Sequence, residues 1–181
     1  RDSNPVIVYI GNMTSVQNMD ACLYFAREVM PLVSQQVSAT FRVVGRINDS
    51  DAAKLQAYPD VVVTGPVDDM AAAVEDARIG VCPVRLAAGV QNKVLEYMAL
   101  GLPVVTSSIG LEGIEAEPEK DLLVADSPGG YAEAIARLWK DEALRTRLAT
   151  NGHRYVNAHH QWGKRLAPLV DRVAELLDNK H

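Results

Sequence analysis

Short runs rich in Val and Ile alternate along the chain with stretches of helical period. The strand-like runs are VIVYIG at 6–11, FRVVG at 41–45, VVVTG at 61–65, IGVCPV at 79–84, PVVTS at 103–107 and DLLVA at 121–125. Between them the pattern predicts helices from about Asn18 to Gln36 and near 51–57, 68–77 and 91–100, with two or three more after residue 125. Apolar strands bounded by Gly or Pro and separated by helices imply a parallel sheet covered on both faces, a doubly wound α/β fold. Ligands of such folds sit beyond the carboxyl ends of the strands, so the loops after Ile10, Val44, Val63, Val84 and Val105 are where function is expected. Ser127-Pro128-Gly129-Gly130 reads as a helix start with Pro in the first turn, and Asp68-Asp69 as a helix cap. No repeat or internal domain boundary is visible, so residues 1–181 read as one domain.

Composition narrows the picture. The 181 residues are 48% hydrophobic and 23% charged, an ordinary globular balance. A net charge of -5 and a pI near 5.3 exclude the broad basic surface that nucleic acid or anionic lipid would require. Any phosphate site must be local. Cys22 and Cys82 lie in apolar runs with no CxxC neighbour, as free core thiols expected of a reducing cytoplasm. No apolar run approaches the ~18 residues of a membrane span, and RDSNPVIVYIG lacks the layout of a signal peptide. The opening Arg1-Asp2-Ser3-Asn4-Pro5 reaches a strand at once, which is expected of a domain taken from a longer chain.

The most informative segment is PVRLAAGVQNKVLEYMALGLPVV at 83–105. It reads as a strand end, a loop with Arg85 and Gly89, a helix opening at Gln91 or Asn92, a stop at Gly101 and the next strand. That order aims a helix N-terminus at the crevice, where free N–H groups and the helix dipole suit a diphosphate. Lys93 and Glu96, three apart, share a helix face. One can neutralise phosphate oxygens while the other accepts hydrogen bonds from vicinal hydroxyls. Taken alone, the pair also fits a solvent-facing ion pair.

The run Gly89–Val105, followed by Gly110-Leu111-Glu112-Gly113, resembles the donor-domain signature of retaining GT-B glycosyltransferases. The matching family is the large one that contains sucrose synthases and many bacterial mannosyl- and glucosyltransferases. The resemblance extends to the glycine loop at Val8–Gly11, the strand Phe41–Gly45, the strand and turn Val61–Val67, and the late aromatic Trp162. It implies a Rossmann-like half-domain that binds a nucleotide-sugar donor and belongs with an N-terminal acceptor domain of the same protein. It also implies transfer of a sugar without metal or other cofactor, in the cytoplasm, with peripheral contact at the inner membrane face through the other half. Donor contacts are then expected at Gly11, Asn12, Gly45, Gly89, Val90, Gln91, Glu96 and Glu112, with Glu96 on the ribose hydroxyls. Two departures stand out. The earlier glutamate of the family's pair falls on Ala88, and the Arg and Lys that the family places after its first glycine are replaced by Asn12 and by Gln17-Asn18. Arg85 and Lys93 are expected to supply the missing phosphate charge.

Other signals are weaker. Asp49-Ser50-Asp51 matches a metal-binding Asp-x-Asp pattern, but its place before AAKLQAY predicts a cap at Asp49 or Ser50 with Asp51 in the first turn. His153, His159 and His160 lack a spaced carboxylate or Cys to complete a metal shell. Gly110–Ile114 reads as a loop between strands, and the tail Trp162–Leu177 as an amphipathic helix. A nucleotide-sugar epimerase of the same architecture and a non-catalytic nucleotide- or sugar-binding module remain alternative functions. Ala88, Asn12 and Asn18 favour the second.

Overall fold

The computed structural model describes residues 4–86 and 89–160. Six parallel strands form one sheet in the order β3-β2-β1-β4-β5-β6, namely β1 Val6–Ile10, β2 Thr40–Val44, β3 Val61–Gly65, β4 Ala77–Cys82, β5 Val104–Thr106 and β6 Leu123–Val124. This is the doubly wound arrangement, and its reversal of strand order falls between β1 and β4. β1 is buried at all five positions because it sits mid-sheet with helices on both sides.

The helices among the described residues are α1 Val16–Tyr24, α2 Met30–Ser34, α3 Asp49–Gln56, α4 Met70–Ala73, α5 Asn92–Ala99, α6 Ser108–Leu111, α7 Pro128–Lys140 and α8 Glu142–His159. α1 and α2 are one helical run that widens to a π-helix over Phe25–Val29. Pro31 explains the widening. It has no N–H, and its ring would collide with the carbonyl four residues back, so the turn relaxes until Met30 N–H reaches Phe25 O. Phe25, carried on this wider turn, packs against Phe41 of β2 and Tyr131 of α7. α8 packs on α5.

Three local expectations change. The cap of α3 is Asn48, whose side chain accepts from Asp51 N–H, so both aspartates of the Asp-x-Asp lie in the first turn and Asp51 pairs with Lys54. α4 starts after its Asp69 cap as expected but ends at Ala73, because β4 already begins at Ala77. Gly110 and Leu111 belong to helix α6, capped by Ser107, rather than to an open loop. Ser127 caps α7 with Pro128 in its first turn, and Cys22 and Cys82 are free and buried. Among the described residues no helix is long and apolar enough to cross a membrane. Trp162 and the amphipathic tail, like Ala88, lie outside the described residues.

Candidate functional site

At the carboxyl ends of β1, β2 and β3 three glycines stack edge to edge. Gly11 N–H donates to Val44 O and Gly45 N–H to Gly65 O, each at 3.0 Å, while Met13 N–H donates to Arg46 O at 2.8 Å. Gly45 has φ of 129°, and a Cβ there would lie 1.9 Å from Gly11 O. Only glycine permits this approach. Asn12 is exposed, and its side chain is turned back on its own loop, Oδ1 accepting from Thr14 N–H and Oγ1.

On the other side of the strand-order reversal stands α5. Its buried face is Val94, Leu95, Tyr97 and Met98, a stripe that seats the helix on the sheet and leaves Lys93 and Glu96 half-buried at its flank. Gly101 (φ 71°) ends it, with Leu102 N–H on Tyr97 O and Gly101 N–H on Met98 O. At its start Gln91 is the extended cap residue, and Val94 N–H closes the first turn on Gln91 O. The N–H groups of Asn92 and Lys93 have no acceptor among the described residues. They face outward at the positive end of the helix.

Tyr97 holds the crevice open. β1 and β4 pair only as far as Val8 and Gly80. Beyond that point the Tyr97 hydroxyl sits between the strands, accepting from Ile10 N–H at 2.9 Å and donating to Val81 O at 3.1 Å. Gly80 makes room for the ring, since a Cβ there would lie 2.5 Å from it. Burial keeps this hydroxyl protonated by pushing its pKa far up.

Lys93 reaches from α5 toward α1. Its Nζ donates to Asn18 Oδ1 and to Gln91 Oε1, both at 3.1 Å, and lies 5.2 Å from the centre of the Tyr9 ring. Glu96 accepts no hydrogen bond from another described residue and is not ion-paired with Lys93, so the pair is not the solvent-facing bridge that spacing alone would allow. Burial lifts its carboxyl pKa, and the Lys93 charge pulls it part of the way back. Glu96 lines a shallow depression of about 310 Å³ with Met70, Ala99 and Leu100.

Arg85 takes another position. Its guanidinium forms a bidentate pair with Asp20, at 3.1 and 2.6 Å, and stacks over Tyr24 at 4.5 Å. It borders a pocket of about 360 Å³ between α1 and α7 that also includes Ser107, Ser108 and Asp126. The structure thus gives Lys93 and Arg85 different partners on α1 rather than one shared site. Gly89 and Val90 are exposed at the mouth, where a Cβ on Gly89 would meet nothing within 4 Å. The exposed Glu112 follows α6, and its neighbour Gly113 lies against Val90, which brings this turn beside the loop before α5. A wider depression, about 760 Å³ between α7 and α8, is lined by Gln36, Arg137, Lys140 and Arg147 at the amino-terminal edge of the sheet, away from all of these residues. Among the described residues no three His, Cys, Asp or Glu cluster as metal ligands would; His153 contacts Asn157 and His159 stacks on Tyr155.

Sequence reasoning passed over Tyr9, Asn18 and Asp20 as partners of the two cations, and Tyr97 as the wedge. The glycine in the middle of β4 was the available signal for Tyr97, because a strand interior gives up a side chain where something approaches closely. Nothing in the spacing of residues 18 and 93 announces their contact.

Known proteins share this framework. A protein of the cps region of Klebsiella pneumoniae, described as an uncharacterized 44.6 kDa protein, is 22% identical over 85% of this chain and 42% of its own length. Sucrose-phosphate synthase from Thermosynechococcus elongatus superimposes with a TM-score of 0.72 at 22% identity, over 99% of this chain and 47% of that one. Anabaena HepE, solved in complex with UDP-glucose, gives a TM-score of 0.71 at 13% identity over 94% of this chain and 49% of that one. The chain therefore spans about half the length of these proteins. Residues 4–141 match the family described as Glycosyl transferases group 1, and the chain belongs to that family.

Proposed function

We propose that this chain is the donor-binding lobe of a glycosyltransferase and holds a nucleoside diphosphate sugar at the carboxyl ends of β1, β2 and β4. The observation that carries this reading is the juxtaposition at the strand-order reversal of an outward-facing helix N-terminus, an ammonium hydrogen-bonded by neutral partners, and a half-buried carboxylate that accepts no hydrogen bond from another described residue. On this reading Glu96 accepts the ribose hydroxyls. Lys93 and the first N–H groups of α5 stabilise the charge that collects on the diphosphate as the glycosidic bond breaks, without a metal ion. Gly89 to Gln91 lie beside the sugar. The base rests in the direction of Gly45, Gly65 and Met70. Arg85, already neutralised by Asp20, shapes the rim and contributes little charge.

The acceptor and any general base come from a second lobe of the same protein, a reading supported by the doubled length of the relatives. The work belongs to the reducing cytoplasm, consistent with the free thiols, with the second lobe touching the inner membrane face. Bacterial polysaccharide assembly is the setting suggested by the cps-region relative.

Calorimetric titration with uridine, its monophosphate and its diphosphate tests the site. Lys93→Ala should lower affinity for the diphosphate far more than for the nucleoside, and the loss should shrink as salt rises. Arg85→Ala should show much less of this discrimination. Equal losses for all three ligands, or none, would remove the site from α5.

A further inference from the structure

The two cations that reach α1 are treated in opposite ways. Asp20 meets Arg85 with a carboxylate and cancels its charge, whereas Asn18, two residues earlier, meets Lys93 with an amide. The second partner of Lys93, Gln91 Oε1, is also neutral. An amide oxygen orients an ammonium without neutralising it, so the positive charge stays available to a ligand.

The amide of Asn18 is itself fixed at three points. Tyr9 OH donates to Oδ1 at 2.6 Å, Lys93 Nζ donates to the same atom, and Nδ2 donates to Asn12 O at 2.9 Å. Lysine can only donate and a backbone carbonyl can only accept, so the amide has one usable orientation. Burial keeps the Tyr9 hydroxyl protonated and therefore a donor. Gly11 leaves the room needed, since a Cβ there would lie 3.2 Å from Asn18 Nδ2. One side chain thereby ties the glycine loop, the end of β1 and the lysine of α5 together across the crevice.

We propose that Asn18 is a positioning residue that holds Lys93 over the carboxyl end of β1 as an oriented cation, free of any ion pair among the described residues, for a nucleoside diphosphate, an inference that rests on the donor-site reading above. The uncharged residue at 18 then compensates for the absence of a cation on α1 by placing one that is supplied by α5.

The test compares wild-type chain, Asn18→Ala, Asn18→Asp, Lys93→Ala and the Asn18→Ala/Lys93→Ala double variant, titrated with uridine and with uridine diphosphate. Asn18→Ala should weaken diphosphate binding roughly five- to tenfold, about the worth of one lost hydrogen bond, and leave uridine nearly unchanged. In the Lys93→Ala background the same substitution should change diphosphate affinity by less than about twofold, because the two residues act through one contact. Asn18→Asp, of the same shape, should fold and yet lose the diphosphate at least as severely, since a carboxylate would neutralise Lys93 and repel the phosphates. A ligand-free readout runs alongside: in 15N-lysine-labelled protein the Lys93 ammonium signal should sharpen through its hydrogen bonds in wild type and broaden into solvent exchange in Asn18→Ala. Equal losses for uridine and its diphosphate, a full effect of Asn18→Ala without Lys93, a benign Asn18→Asp, or an unchanged Lys93 ammonium signal would each overturn the proposal. Should wild type bind neither ligand, the donor-site reading fails, and the ammonium signal still decides whether Asn18 holds Lys93.

Discussion

On the proposed reading, Glu96 is the residue at which stability and binding pull in opposite directions. Its half-buried carboxyl has a pKa raised by burial, so the fold favours the protonated form. For a group whose folded pKa lies above its unfolded value, the associated stability is present below the ordinary carboxyl pKa and is lost as pH rises through the raised one. At neutral pH the free chain therefore carries a desolvation penalty that a glutamine would not. Glu96→Gln should raise the melting temperature slightly at pH 7, and the difference should fade as pH falls below about 4. The same change should weaken nucleoside and nucleoside diphosphate alike, by roughly 1.5–3 kcal/mol, the range for hydrogen bonds to a charged group. Scanning calorimetry across pH and titration with uridine check the two halves. A lower melting temperature at pH 7, or intact uridine binding, would count against this role. The residue type and spacing of Glu96 and Lys93 were legible before any coordinates because one helical turn relates them. The partners of Lys93 and Arg85 were not, since contacts across 75 and 65 residues depend on how α1 meets α5 and the loop after β4 over the sheet end.

At the scale of elements, hydrophobic period located all six strands and the helices other than the short α6, but it blurred their ends. α4 shrank to one turn because the pattern cannot say where a neighbouring strand will claim residues, and Pro31 produced a π-turn instead of a break because the chain on both sides remained seated on the sheet. Least visible was the use of α5 as a wedge, which needs Tyr97 and Gly80 to face one another across 17 positions of sequence. Tyr97→Phe would keep the ring and strip both hydrogen bonds from Ile10 N–H and Val81 O. Each buried group left unmet costs about 1–3 kcal/mol, so a loss of about 2–6 kcal/mol is expected in urea unfolding. At about 2–4 °C per kcal/mol for a domain this size, the melting temperature should fall by about 4 °C or more. A change under about 0.5 kcal/mol, the scatter of surface substitutions, would show that water replaces the hydroxyl there.

For the molecule as a whole, the crevice is open on the side away from the sheet, and the exposed Leu86, Val90 and Val16 lie in segments that follow strand ends. Transfer requires donor and acceptor to be held in register, a large part of the rate advantage of any two-substrate enzyme. Residues 1–181 should therefore bind uridine diphosphate and yet transfer no sugar from UDP-glucose to added sugar acceptors in a radiolabel assay. Turnover by this chain alone would refute the division of labour proposed here. The way Tyr97 finishes β1 has one more consequence, a kinetic one. The last amide of that strand is shielded by a side chain from α5, not by a neighbouring strand. If Ile10 exchanges only when Tyr97, and with it α5, moves away, a single opening rate should govern α5 and the strand end beneath it, which hydrogen-exchange rates in the two segments would check. The exchange clock of one amide should then time the movement of the half of the crevice to which the diphosphate is assigned.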